Sequence, residues 1–213
     1  MQKHPTSLWY LAEAEVEQTE QRRSEMDAIE ILEAEHRTIK RVLQAMDRFV
    51  EVQAQMPEAM RRTDLKQFIE FIRLYADRIH HGKEEEILFE RMVAAGFPTK
   101  SGPLAVMYHE HDQGRAFVKD LAEFGEQETE WSSEDQTRLA EAARGYAVLL
   151  RNHIQKEDNV LYPMAESGLP ADAMALVDQR VEEFENSDPQ RGEKLRLEAL
   201  ADELSAKFER QVA

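Results

Sequence analysis

Two ten-residue segments of the chain, HHGKEEEILF at residues 80–89 and HIQKEDNVLY at residues 153–162, are variants of one pattern. Each begins with a histidine, has a glutamate four residues later and ends with an apolar pair. Residues four apart are neighbours on the surface of an α-helix, so His80 lies beside Glu84 and His153 beside Glu157. Each segment is therefore predicted to be a helix that presents an imidazole and a carboxylate together.

Apolar residues recur every three or four positions in four stretches of the chain, and each stretch carries a histidine within its apolar stripe. This spacing is typical of helices that pack on one face. A helix with one histidine is followed by a helix with His-x-x-x-Glu, and this pair then occurs a second time. The predicted fold class is all-α, an up-down-up-down four-helix bundle, in which side chains of facing helices meet in the core. The four histidines expected to converge there are His36, His80, His111 and His153.

Local signals predict where two of these helices begin. The second helix is expected to start near Thr63–Asp64, since either side chain can cap a helix N-terminus. The fourth is expected to start after Ser132 or Ser133, and Ser133 with Gln136 fits a capping box.

The bundle is predicted to span residues 26–165. It leaves an N-terminal extension, residues 1–25, and a C-terminal helical extension, residues 166–213. The helices of the C-terminal extension contain no histidine, and we interpret them as a lid or an interaction element.

Composition excludes several classes of protein. The chain has no cysteine, which excludes disulfides, thiolate metal sites and cysteine nucleophiles. Its net charge of −16 opposes binding to nucleic acid and to anionic membranes. No apolar run is long enough for a transmembrane helix, and the N-terminus lacks the apolar core of a signal peptide. We therefore expect a cytoplasmic protein, either a monomer or a homodimer.

Burying this many polar groups in a bundle core requires compensation. Isolated carboxylates cost several kcal/mol each when they are buried without a partner. No lysine or arginine is expected on the stripe beside Glu84 or Glu157. Imidazole nitrogens with carboxylate oxygens are a common ligand set for divalent metals. The sequence therefore predicts a metal site formed by His36, His80, Glu84, His111, His153 and Glu157.

Several neighbours compete for these positions. His81 lies about 100° round the helix from His80, so only one of the two is expected to point inward. His80 is favoured because its neighbours on the helix are apolar. His109 is predicted to be solvated or to support a ligand. Glu157 is favoured over Asp158, which lies about 140° from His153.

Three further acids are assigned from the same helical patterns. Glu35 is interpreted as a solvated charge, with the alternative that it orients a ligand through a hydrogen bond. Glu85 and Glu86 are interpreted as solvated charges.

At these positions the sequence resembles the hemerythrin-like proteins, specifically the bacterial group with HHE cation-binding domains. The matching segments cover about residues 26–165 in the family's order: ILEAEHRTIKRVL, HHGKEEEILF, GPLAVMYHEHDQGR and HIQKEDNVLYP. The resemblance implies a hemerythrin-like bundle that holds a non-haem di-iron centre of two iron ions. It further implies that the four histidines are terminal ligands and that Glu84 and Glu157 bridge the two ions.

The chain departs from the oxygen-carrying members, which use five histidines and two carboxylates. Their third helix carries His-x-x-x-His, where this chain has Met107 and His111. Their last helix has an aspartate five residues after the histidine, a spacing that His153 and Asp158 share. The seventh ligand is left open between water and three side chains: Tyr108, His109 and Glu110.

The function that the resemblance implies is binding of dioxygen, nitric oxide or peroxide for sensing, storage or scavenging. One alternative is a di-iron enzyme with peroxidase or catalase-like activity. Such an enzyme needs a proton donor, for which the sequence offers Tyr75, His81 and Tyr108. A second alternative is an iron-storage or iron-homeostasis protein.

Overall fold

The structure is a computed structural model that describes residues 26–209. The predicted N-terminal extension lies outside these residues. Every regular element in the described part of the chain is helical. The elements are α1 (Ala28–Val52), a 3₁₀ turn (Gln53–Gln55), α2 (Glu58–Phe71), π1 (Ile72–His81), π2 (Glu84–Phe89), α3 (Glu90–Ala94), α4 (Gly102–Glu126), α5 (Ser133–Lys156), π3 (Glu157–Leu161), α6 (Tyr162–Gly168), α7 (Ala171–Asn186) and α8 (Asp188–Glu209).

Four of these helical rods form the predicted bundle. The first is α1, the second runs without a break through α2, π1, π2 and α3, the third is α4, and the fourth runs through α5, π3 and α6. Helix α5 packs against α1 and α4, and α2 packs against α4. The prediction of an all-α bundle with additional helices is confirmed.

The predicted start of the second bundle helix is wrong, whereas the fourth begins at one of the two predicted caps. The second bundle helix begins at Glu58, directly after Pro57, whose fixed φ suits a helix entrance. Asp64 lies inside that helix, is buried, and pairs with Lys207 of α8, a contact that local sequence cannot reveal. The fourth begins with Ser132 as its cap, and the capping box forms with Asp135 rather than from Ser133 and Gln136.

The core consists of two apolar clusters with a polar layer between them. On α1, Leu32 belongs to one cluster and Ile39 to the other, with His36 between them. On the second bundle helix, Ile79 and Ile87 lie in different clusters, one on either side of the first histidine–glutamate pair. Apolar packing above and below therefore encloses the polar layer on each helix.

Helices α7 and α8 form a hairpin that packs on the bundle. Helix α8 lies against α1, α2 and π1, and buries Leu197, Leu204 and Phe208. Helix α7 contacts α1 and π2, and buries Val177 and Val181. None of the helices within residues 26–209 has an apolar stretch of the length that crossing a bilayer requires.

Candidate metal centre

The six residues proposed as metal ligands from the sequence all lie in the buried polar layer. Each is at most 1% exposed, although charged and imidazole side chains are seldom buried this completely. The first bundle helix contributes His36, and the third contributes His111. The second and fourth contribute the two histidine–glutamate pairs. The structure thus brings all six together.

The side chains form two groups that share carboxylates. His36 and His80 form one group with Glu84 and Glu157, and their ligand atoms all lie within 4.8 Å of one another. A second group within the same limit contains Glu84 with three histidines: His81, His111 and His153. Glu84 belongs to both groups. This arrangement offers two adjacent cation positions with a carboxylate between them.

Glu157 also reaches both groups. One of its oxygens lies 3.2 Å from Nε2 of His36, and the other lies 2.9 Å from Nε2 of His153. Asp158, the competing acid, points away from the shared space and accepts a hydrogen bond from His36 Nδ1 at 2.6 Å. The geometry therefore favours Glu157 over Asp158 as the carboxylate between the groups.

The expectation that His81 points away from the core is wrong. Its side chain is 5% exposed, and its ring stacks on that of His111 with 3.8 Å between centroids. The reason is local, because residues 72–81 form a π-helix, in which the amide of Gly82 donates to the carbonyl of Asp77, five residues earlier. The wider turn places His80 in one group and His81 in the other.

Each of the five histidines has its Nδ1 atom beside a carboxylate. Because an ionised carboxylate only accepts hydrogen bonds, Nδ1 carries the proton in each pair and Nε2 is left with a lone pair. The pairs and their distances are His36–Asp158 at 2.6 Å, His80–Glu35 at 2.9 Å, His81–Asp77 at 3.3 Å, His111–Glu85 at 2.6 Å and His153–Glu110 at 2.9 Å. A carboxylate that accepts a hydrogen bond from Nδ1 of a histidine ligand fixes the orientation of the ring and increases the basicity of its Nε2.

Four of these carboxylates share a position in the sequence that could identify them. Each is adjacent in the chain to a residue of the centre and bonds the histidine of another helix: Glu35 precedes His36, Glu85 follows Glu84, Glu110 precedes His111 and Asp158 follows Glu157. The interpretation of Glu85 as a solvated charge is wrong, since it bonds both His111 and Arg115. The interpretation of Glu35 as a solvated charge is also wrong, since it is buried, and its bond to His80 agrees with the alternative role of orienting a ligand.

The atoms that face the shared space are nearly all acceptors. Nε2 of His111 lies 3.0 Å from Nε2 of His153, which in turn lies 2.9 Å from a Glu157 oxygen. With their protons on Nδ1, these nitrogens have no hydrogen to share. Five buried atoms of the centre lack any hydrogen-bond partner: Nε2 of His80, Nε2 of His81, Oε2 of Glu84 and both carboxylate oxygens of Glu157. Acceptor atoms whose lone pairs face one another in a dry core can bind cations. Without a cation, their burial destabilises the fold.

The pKa values of the buried groups are shifted by burial and by the close approach of other polar groups of the centre. Burial and the neighbouring Glu157 raise the pKa of Glu84 well above its usual range. Burial also opposes ionisation of Glu157, but His153 and His111 hold its pKa well below the usual range. Burial would lower the pKa of His36, yet Asp158 and Glu157 raise it. Protons therefore compete with cations for this centre, as metal-site chemistry requires.

Met107, which replaces a family histidine, does not contribute a ligand. It is 2% exposed and lies in an apolar cluster. Of the residues considered for the open ligand, His109 is exposed, Tyr108 packs its ring against Phe89, and Glu110 is behind His153. His81, which belongs to the three-histidine group, is a candidate for the additional imidazole.

The sequence patterns did not identify Tyr162 as a residue of the centre. Tyr162 closes the HIQKEDNVLY segment, is fully buried, and donates from its hydroxyl to Oε1 of Glu84 at 2.7 Å. The same hydroxyl lies 3.4 Å from Nε2 of His36. Tyr162 is therefore a phenol that contacts both a shared carboxylate and a histidine of the centre.

A cavity of about 130 Å³ leads to the three-histidine group. Its buried walls include His81, His111 and His153, with apolar side chains between them. Its lining also includes Arg73 and Lys119, which are exposed. The cavity therefore connects the surface with one side of the centre.

Residues 27–165 match the family model described as Hemerythrin HHE cation binding domain. The chain belongs to this family. A comparison with curated proteins found no match. The match covers all five buried histidines and both shared carboxylates of the HHE domain, but it stops before α7 and α8.

The positions of Glu157 and Asp158 in this HHE domain predict distinct effects. Asp158→Asn is expected to lower metal affinity by about 10–100-fold without changing the number of ions bound, because Asp158 bonds His36 and Lys40 and points away from the shared space. Glu157→Gln is expected to remove metal from the centre, because both of its oxygens face the shared space. Titration of each variant with Co²⁺ measures number and affinity. Equal losses in both variants would contradict this assignment.

Proposed function

We propose that the protein binds two iron ions in this centre and uses them to bind dioxygen, nitric oxide or peroxide for sensing, storage or scavenging. The observation that supports the proposal most strongly is the set of buried acceptor atoms without partners. Two candidate groups share Glu84, and Glu157 also reaches both. Iron accepts mixed imidazole and carboxylate ligands of this kind.

The roles of the protein side chains follow from their contacts. His36 and His80 would hold one ion, and the three-histidine group would hold the other, with Glu84 and Glu157 between them. The carboxylates at Nδ1 keep each Nε2 free of a proton and aimed at the shared space. Bound iron would supply reversible electron exchange and a position for a small ligand.

Access for such a ligand is supported by the cavity beside His81, His111 and His153. Its volume of about 130 Å³ is well above the roughly 10–15 Å³ that one water molecule needs. The two apolar clusters surround the rest of the centre and limit the access of water. A site of this kind admits a small molecule while preserving a low dielectric around the metal.

Metal analysis tests the proposal directly. Protein produced with iron is expected to contain about two irons per chain, one for each group. Its visible spectrum should show charge-transfer absorption that azide alters. Iron should fall to about one per chain, and the spectrum of the two-iron centre should be lost, in His80→Ala and in His153→Ala, since each removes an imidazole from a different group.

His109→Ala is the matched control, because His109 lies on α4 near His111 but is exposed. It should retain the iron content and the spectrum of the parent protein. Binding of one zinc per chain with no uptake of iron would contradict the proposal.

A di-iron enzyme is the second candidate, and Tyr162 is the observation that favours it. Its hydroxyl lies within hydrogen-bonding distance of Glu84, so a proton donor is present at the centre. Tyr75 and Tyr108, proposed from the sequence, make other contacts: Tyr75 reaches Glu198, and Tyr108 packs on Phe89. Sustained consumption of peroxide by the iron-loaded protein would favour the enzyme. Tight binding of a ligand without turnover would favour the binding protein.

A further inference from the structure

Two buried lysines and two glutamates form a closed cluster beside the centre. Lys83 is fully buried, and Lys194 is 5% exposed. The ammonium of Lys194 lies 2.5 Å from Glu35 and 2.5 Å from Glu185. Lys83 donates to the same two carboxylates. We call these four residues the lysine–glutamate cluster. Its two positive and two negative charges balance.

Glu35 is the member of the cluster that accepts a hydrogen bond from a histidine of the metal centre. Oε1 of Glu35 accepts from both lysines, and Oε2 accepts from Nδ1 of His80 at 2.9 Å. A carboxylate bonded to the back of a histidine ligand controls how strongly the imidazole donates to a metal. Any change in the charge around Glu35 is therefore transmitted to Nε2 of His80.

Half of the cluster comes from outside the family match, which ends at residue 165. Glu185 is near the end of α7, and Lys194 is in α8. The hairpin is anchored to the bundle by its own contacts: Asp178 accepts from the backbone amide of Ala28 at 3.0 Å, and Arg180 donates to Glu90 at 2.8 Å. Helix packing thus holds Lys194 at the centre's edge.

We propose that Lys194 and Glu185 are positioning residues that set the donor strength of His80, so that the C-terminal hairpin tunes the centre without contacting the metal. The inference rests on the proposed metal centre. Its effect is expected to be largest in the group that contains His36 and His80, because the other three histidines bond carboxylates outside the lysine–glutamate cluster.

The two positioning residues carry opposite charges, which gives their removal opposite effects. Without Lys194, the negative charge of Glu35 is less neutralised. Nε2 of His80 then becomes a stronger electron-pair donor to the metal, which favours the oxidised ion. Without the charge of Glu185, Glu35 is the only carboxylate of the cluster that neutralises the two lysines. Nε2 of His80 then becomes a weaker electron-pair donor to the metal. Loss of structure alone would not reverse sign between the two substitutions.

The test compares Lys194→Met and Glu185→Gln in the full-length protein. After loading with iron, the midpoint potential is measured by spectroelectrochemistry. Lys194→Met is expected to lower it, and Glu185→Gln to raise it. Without iron, titration with Co²⁺ should show a change of about tenfold in the affinity of one of two ions, tighter in the first variant and weaker in the second.

Two further variants separate charge from structure. Lys194→Arg retains the positive charge and should keep the potential of the parent. Lys207→Met is the matched control, since Lys207 lies on the same helix and pairs with the buried Asp64 rather than with Glu35. It should lower stability without changing the potential or the Co²⁺ affinities.

Shifts of the same sign in Lys194→Met and Glu185→Gln, or unchanged values in both, would overturn the inference. If Lys194→Met does not fold, Glu185→Gln against the parent decides the question: a raised potential supports the inference and an unchanged one overturns it. If the parent itself binds fewer than two Co²⁺ ions, the proposed centre is wrong and not the role of the hairpin.

Discussion

Glu84→Gln is expected to abolish tight binding of both metal ions and, at the same time, to stabilise the metal-free protein. Glu84 is the carboxylate that both candidate groups contain, so its charge is lost from each. The amide keeps an oxygen that can accept from Tyr162. We expect metal affinity to fall by about a hundredfold or more, since charge stabilises a cation strongly in a dry core. The measurements are Co²⁺ titration and chemical denaturation of the metal-free protein.

The stabilisation should depend on pH. Burial and Glu157 raise the pKa of Glu84, so the folded chain holds this proton more tightly than the unfolded chain does. The contribution of the proton to stability is therefore present below pH of about 4.3 and is lost as the pH rises. The variant has no such loss. Its advantage should grow above pH of about 4.3 and reach about 1–3 kcal/mol in the free energy of unfolding at pH 7.

The matched control for this result is Glu86→Gln, because Glu86 lies in the same helical segment but is exposed. It should change neither metal affinity nor stability beyond about 0.5 kcal/mol. Destabilisation of the metal-free protein by Glu84→Gln would mean that Glu84 is a structural carboxylate and not a ligand held ready for a cation.

The bundle and the positions of four of the five buried histidines were predictable because both depend on a periodic pattern. Residues such as His36 and His111 occupy the apolar stripe of a regular helix, and a stripe can be read from spacing alone. The pairs of His80 with Glu84 and of His153 with Glu157 need only the four-residue spacing of one helix. The helical periodicity therefore carried most of the information about the fold and the candidate site.

The orientation of His81 was not predictable in this way. The argument against it assumed the turn of an α-helix, whereas residues 72–81 form a π-helix that shifts the register. The sequence gives no simple signal for such a wide turn. Periodicity alone therefore identified only one of the two adjacent histidines.

Contacts between segments that are far apart in the chain were also not predictable from the sequence. Lys83 is buried within the polar layer because Glu185 and Glu35 neutralise it, and Glu185 is 102 residues away in the chain. A lysine in the motif HHGKEEE has the pattern of a solvated charge. Only the docking of the C-terminal hairpin makes its burial possible, since a buried ammonium needs carboxylate partners.

His81→Ala is expected to reduce the bound metal from about two ions to about one per chain. His81 belongs to the three-histidine group and not to the group of His36 and His80, so only one cation position loses a ligand. The remaining ion should keep its affinity within about tenfold, because its own imidazoles and carboxylates are unchanged. Metal analysis and Co²⁺ titration measure both quantities, with His109→Ala as the control for loss of an exposed imidazole.

A second substitution tests why the chain contains His81 at all. Met107 lies one helical turn before His111, where the oxygen-carrying relatives have a histidine. If His81 replaces that ligand, then Met107→His in the His81→Ala background should restore binding of the second ion. Retention of two ions at parental affinity in His81→Ala alone would instead mean that His81 is a stacking partner of His111. The π-helix would then serve to pack the core, because the centre would be complete without the imidazole that it turns inward.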